Sequence, residues 1–166
     1  MGATTVPSRW AGDTGGSASA SRFNTALFAI VAALWIGSLV TPDLATCAYG
    51  RPRWALGYVT LIMGWAGPLM MFWHPSVGMF AWYANVLLLV PMARMLAGRA
   101  PPMPYAAPAL MLALTALAPL YFYSEGRGED ALCARGPGFW LWISAFAVTA
   151  AAAAWESLRW RPLSAQ

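Results

Sequence analysis

Residues 23–40 read FNTALFAIVAALWIGSLV, a run with no charged side chain, preceded directly by Arg22 and followed by Thr41-Pro42. As a helix at about 1.5 Å per residue it reaches about 27 Å, close to the hydrocarbon thickness of a bilayer. Working outward, four more uncharged stretches follow: Trp54–Trp73, Val77–Ala93, Tyr105–Tyr123 and Phe139–Trp155. Lipid offers no partner to a bare backbone N–H or C=O, so such stretches satisfy their backbone internally as helices. The expectation is an all-α integral membrane protein, a bundle of four to five transmembrane helices. The second stretch, interrupted by Gly57, Gly64 and Gly67-Pro68, is read as kinked or re-entrant.

Composition agrees, since the 166 residues are 60% hydrophobic and 10% charged. The net charge of +4 is carried by arginines scattered over termini and connections, so no dense basic run invites nucleic acid. Residues 1–21, rich in Gly, Ser, Ala and Thr, are expected to form a flexible N-terminal tail. Residues 22–160 form the bundle, and 161–166 a C-terminal tail. Gly37, Ser38, Gly57, Gly64, Ala81, Ala84, Ser144 and the alanines at 150–154 would let helices approach closely. Tryptophans near stretch ends (Trp54, Trp73, Trp140, Trp142, Trp155, Trp160) fit a belt at the lipid headgroups.

Arginine placement leaves the number of crossings open. Five crossings put Arg51, Arg53, Arg94, Arg99, Arg159 and Arg161 on the cytoplasmic side. Four crossings, with the second stretch entering and leaving by one face, put Arg9, Arg22, Arg94, Arg99, Arg159 and Arg161 there. Cys47 and Cys133 separate the two. They share the oxidising side only with four crossings and can then form a disulfide, which favours that arrangement. Either way the C-terminus is cytoplasmic, in the inner membrane of a bacterium. Leu44-Ala45-Thr46-Cys47 approaches a lipoprotein cleavage signal, but Thr46 stands where a smaller residue belongs.

Few residues invite chemistry. His74 is the single histidine, with Met70, Met71 and Met79 nearby, a weak candidate for a metal or haem ligand. Asn85, Thr60 and Ser144 are the expected interhelical polar contacts, Asn85 being the costliest to bury. No charge lies mid-stretch, which disfavours an ion-coupled transporter. No nucleophile–base pair or phosphate-binding glycine loop occurs, so the chain is read as no enzyme and as needing no cofactor. Glu156 and Arg159 have the spacing of a solvated helical pair. Ser124–Gly138 is expected to be a solvated connection, and this loop and Leu44–Arg53 are the surfaces expected to meet any partner on the outer side.

Three runs carry a resemblance: Gly64-Trp65-Ala66-Gly67-Pro68, Phe80-Ala81-Trp82-Tyr83-Ala84-Asn85 and Gly138-Phe139-Trp140-Leu141-Trp142-Ile143-Ser144. They resemble elements of small, uncharacterised bacterial inner-membrane proteins, in which a Gly-Trp-x-Gly turn precedes a Phe-Ala-Trp-x-Ala-Asn helix and a Tyr/Phe-Trp-Leu-Trp motif opens the last one. The resemblance covers residues 23–157, departs at Val86, where Pro would be expected, and brings no function. The functional expectation is therefore a non-catalytic protein working by contact with another membrane protein, as accessory subunit or immunity-type protein. The alternatives are a small-molecule carrier or channel lined by Asn85, Thr60, Ser144 and the methionines, and a metal or haem protein using His74.

Overall fold

Pro42 sets the end of the first helix, because a proline ring disfavours helical backbone at the residue before it. In a computed structural model, which describes residues 14–48, 51–66, 77–118, 121–124 and 128–159, α1 (Thr14–Val40) stops just short of that point. The chain then becomes extended, and β1 (Pro42–Ala48) pairs antiparallel with β2 (Arg51–Leu56). A short helix, α2 (Gly57–Gly64), follows directly. A 3-10 turn at Val77–Phe80 leads into α3 (Tyr83–Leu96). Next come α4 (Met103–Leu114) with a 3-10 turn at Thr115–Leu117, β3 (Tyr121–Ser124), β4 (Gly128–Arg135) and α5 (Pro137–Arg159). Pro137 opens α5 at the first helical position, where its missing N–H has no intrahelical acceptor to lose.

Helix dominates as expected, but the four-stranded antiparallel sheet, in the order β2-β1-β4-β3, was not foreseen. It corrects several assignments. The connections Leu44–Arg53 and Ser124–Gly138 are largely strands. The second apolar stretch is not one helix, since Trp54–Leu56 belong to β2 and the helix that follows ends at Gly64. The fourth stretch ends in strand, with Tyr121–Tyr123 in β3. Within the first 21 residues, Thr14–Ser21 are helical rather than tail. Residues 1–13, the Gly67-Pro68 pair and the C-terminal tail 161–166 lie outside the described residues.

α1, α3, α4 and α5 pack as an antiparallel bundle around Val31, Leu88, Met95, Phe146 and the alanines Ala84, Ala109, Ala113 and Ala145, all buried. Alanines at the contacts let the helices close up, and the bulkier side chains fill the middle. The sheet covers one end. There the Gly136 N–H donates to the Asp43 carbonyl at 2.6 Å and the Gly57 N–H to the Thr41 carbonyl at 3.2 Å, so both hairpins are tied to the tips of α1 and α5. At the opposite end the Asn24 amide donates to the Gly98 carbonyl at 3.2 Å. Gly98 has φ of 70°, a left-handed conformation that glycine adopts without strain and that turns α3 into α4.

Candidate functional site

The polar features gather where the sheet meets the bundle. Asn85, in the first turn of α3, is the centre of one group. Its Oδ1 accepts the Trp35 indole N–H at 3.0 Å and the Trp142 indole N–H at 2.9 Å. Its Nδ2 donates to the Trp82 carbonyl at 3.0 Å. One amide thereby joins α1, α3 and α5, and the acceptor's lone pairs are both used. Trp142 is held between Phe139 and Phe146, with ring centroids 6.2 and 4.9 Å away. Sequence reading singled out Asn85 as an expected interhelical contact, named no partner such as Trp35, and placed Trp142 in the headgroup belt. The structure turns the Trp142 N–H inward.

Thr60 forms the second contact, outside the helix bundle proper. It hydrogen-bonds the Asp43 carboxyl, joining α2 to β1. Asp43 is buried. Burial pushes its carboxyl above the ordinary value of 3.8, because the charged form loses water, and the Thr60 bond pulls partly back by favouring that form. α2 is held a second time by Trp82, whose indole N–H donates to the Leu61 carbonyl at 2.6 Å. Ser144 is half-buried in α5.

Cys47 and Cys133 are joined as a disulfide, with Cα atoms 5.7 Å apart and a sequence separation of 86. The bond sits beside the short β1–β4 ladder, whose register shifts between Ala45 and Thr46, and it staples the two hairpins together. Both cysteines thus lie at the same end of the helices. A Cys47 sulfur held in this disulfide is not a free thiol.

Arg135 ends β4. Its Nη2 donates to the carbonyls of Ala116, Leu117 and Ala118 at 3.0, 2.9 and 3.1 Å. These carbonyls lie in and just after the 3-10 turn that continues α4, at the C-terminal, negative end of the combined helix, where a cation is favoured. The guanidinium carbon lies 5.4 Å from the Phe139 ring centroid. Its Nε is buried without a hydrogen-bond partner among the described residues.

His74, Met70 and Met71 lie outside the described residues. Among the described ones, no three His, Cys, Asp or Glu side chains converge as they would around a metal ion. The junction can therefore do two things chemically: hold elements in register, and exchange one proton at Asp43. Compared with models of protein families, with curated proteins and with solved structures, the chain matches none.

Proposed function

We propose that the chain is a four-crossing protein of a bacterial inner membrane that works, without catalysis, by contact with another membrane protein. The observation that carries the membrane reading is how the helices divide their side chains. Two helices, Ser19–Val40 and Pro137–Arg159, are long and apolar enough to cross, yet only 17% and 39% of their most apolar windows are buried. A core helix of a water-soluble protein would bury most of such a window. Ile30, Ile36, Leu89, Met111 and Trp155 instead face outward while alanines fill the contacts, a surface that water would penalise and lipid would not.

α1 is also more than a removable leader in this reading. It shares the Asn85 hydrogen bond and runs straight into a strand cross-linked to β4. α3 and α4 are shorter, and with the 3-10 turn the second extends only to Leu117. At about 1.5 Å per residue they reach about 21–22 Å, so the bilayer would have to thin by about 8 Å around them, at fractions of a kcal/mol per Å. The disulfide supports placing the sheet on the oxidising side. Arg22, Arg94, Arg99 and Arg159 then face the cytoplasm, and Arg135, engaged by three carbonyls, carries little weight as an outside charge.

Contact is favoured over transport because Asn85, the amide that joins three helices at the sheet end of the bundle, spends both acceptor sites and one of its two amide hydrogens on neighbouring tryptophans. A pore-lining amide would keep its acceptor oxygen free for a substrate, and here both lone pairs are taken. The test is purification of the tagged full chain from its native membrane in mild detergent after brief cross-linking. A defined membrane-protein partner at constant stoichiometry is expected. A chain that repeatedly runs alone would overturn the contact reading.

A further inference from the structure

We propose that the segment Trp54–Trp65, comprising the end of β2 and α2, lies in the headgroup region of the outer leaflet and takes anionic phospholipid beside Arg53; this rests on the membrane reading above. One face of α2 is sealed. A side chain at Gly57 would meet the backbone of Ser38, Thr60 bonds Asp43, the Leu61 carbonyl receives Trp82, and Gly64 lies under the Trp82 ring. Positions 57, 60, 61 and 64 recur with helical spacing, so they form a single stripe. The other stripe, Tyr58, Ile62 and Trp65 with Met63 beside it, is exposed, and Trp54 and Leu56 extend it.

Lipid is the occupant that this surface fits. α2 packs on the C-terminal end of α1, where Ile36 and Val40 are also exposed, so the stripe continues the apolar belt of the bundle. At about 12 Å, two turns of helix are too short to cross, and β2 just before is fixed to the sheet. The element must then lie along the surface rather than through it. Tryptophan and tyrosine suit that depth, with apolar rings below and polar atoms at the water. Arg53 is exposed at the edge of this stripe, where a guanidinium can pair with a lipid phosphate.

The full chain, disulfide intact, would be reconstituted in vesicles of phosphatidylcholine and phosphatidylglycerol, with one nitroxide at a time on Ile62→Cys or Met63→Cys. Labels on Ile30→Cys and Arg99→Cys serve as bilayer and water references. Collisions with oxygen and with an aqueous nickel complex report depth, and the α2 labels should fall between the two references. If the Ile30 label behaves like the Arg99 label, the membrane reading itself fails. If Ile30 is lipid-buried but both α2 labels match Arg99, or match Ile30, the interfacial placement is overturned and the membrane reading stands. Arg53→Ala should lower the enrichment of phosphatidylglycerol over phosphatidylcholine around the protein about fivefold, the effect of one basic residue near an anionic surface. Unchanged enrichment would remove the anionic-lipid assignment.

Discussion

Replacing Asn85 by Leu takes away one acceptor and leaves two donors behind. The Trp35 and Trp142 indole N–H groups reach its Oδ1 at 3.0 and 2.9 Å, and leucine, close in volume, offers them nothing. An interhelical hydrogen bond in a membrane protein contributes about 0.6 kcal/mol on average and up to about 1.7, so the pair accounts for about 1–3 kcal/mol. Trp142 cannot swing its N–H to water without leaving Phe139 and Phe146. A stranded donor of this kind adds about 1 kcal/mol or more. The expected loss for Asn85→Leu is thus about 2–4 kcal/mol. Reversible unfolding in mixed micelles, followed by circular dichroism, measures it. Trp35→Phe closes a double-mutant cycle, in which the coupling should be about 0.6–1.7 kcal/mol. Additive single effects, or an Asn85→Leu variant within about 0.5 kcal/mol of the wild type, would refute the claim that this amide joins the three helices.

Further outcomes follow from the sheet end. The chain should resist a thiol-reactive mass tag until reduced, and Cys47→Ser with Cys133→Ser should unfold earlier in the same micelles. Free-chain loop entropy for residues 86 apart gives an upper bound of about 4–5 kcal/mol, smaller if the helices remain inserted when the sheet opens. Arg135→Gln should cost about 1–2 kcal/mol by uncovering the carbonyls in and just after the 3-10 turn that continues α4; Arg135→Lys, without the planar group, should recover only part, and full recovery by Lys would show that charge alone suffices. For Asp43, the carboxyl is raised above 3.8 in the folded chain, so the folded state holds its proton longer than the unfolded one. Stability should therefore be greater at low pH and fall as pH rises from 3.8 through the raised value, and Asp43→Asn should flatten that slope when melting is followed against pH.

α1 and α5 were legible because an uncharged run bounded by arginine and proline admits few other readings. Where apolar content was the only guide, the ends went astray. Trp54–Leu56 and Tyr121–Tyr123 are as apolar as a helix end, yet aromatic side chains suit strands equally well, and here they pair. The sheet itself left little trace, since β1 and β4 meet from segments 86 residues apart and neither shows an alternating apolar pattern. The two cysteines were its only signal. Asn85 stood out because a lone amide in an apolar helix needs partners, but nothing in the spacing named Trp35. Asp43 and Arg135 escaped because a charge in a connection ordinarily faces water, and the sheet that buries one and aims the other was not foreseen.

The tryptophans show why composition alone could not assign their roles. Anchoring at the headgroups and packing were the roles expected of them, with nothing in the sequence to say which tryptophan does which, and the structure divides them in two. Trp35, Trp82 and Trp142 donate their indole N–H groups to Asn85, to the Leu61 carbonyl and to Asn85 again. Trp54, Trp65, Trp140 and Trp155 are exposed and have the amphipathic character of interface anchors. An indole satisfies its donor either at the membrane surface or on a buried acceptor, and which one applies depends on whether an acceptor has been folded within reach. Asn85 and the end of α2 supply those acceptors, so the bundle's internal contacts and the attachment of α2 both depend on tryptophans that, in sequence, look the same as those facing outward.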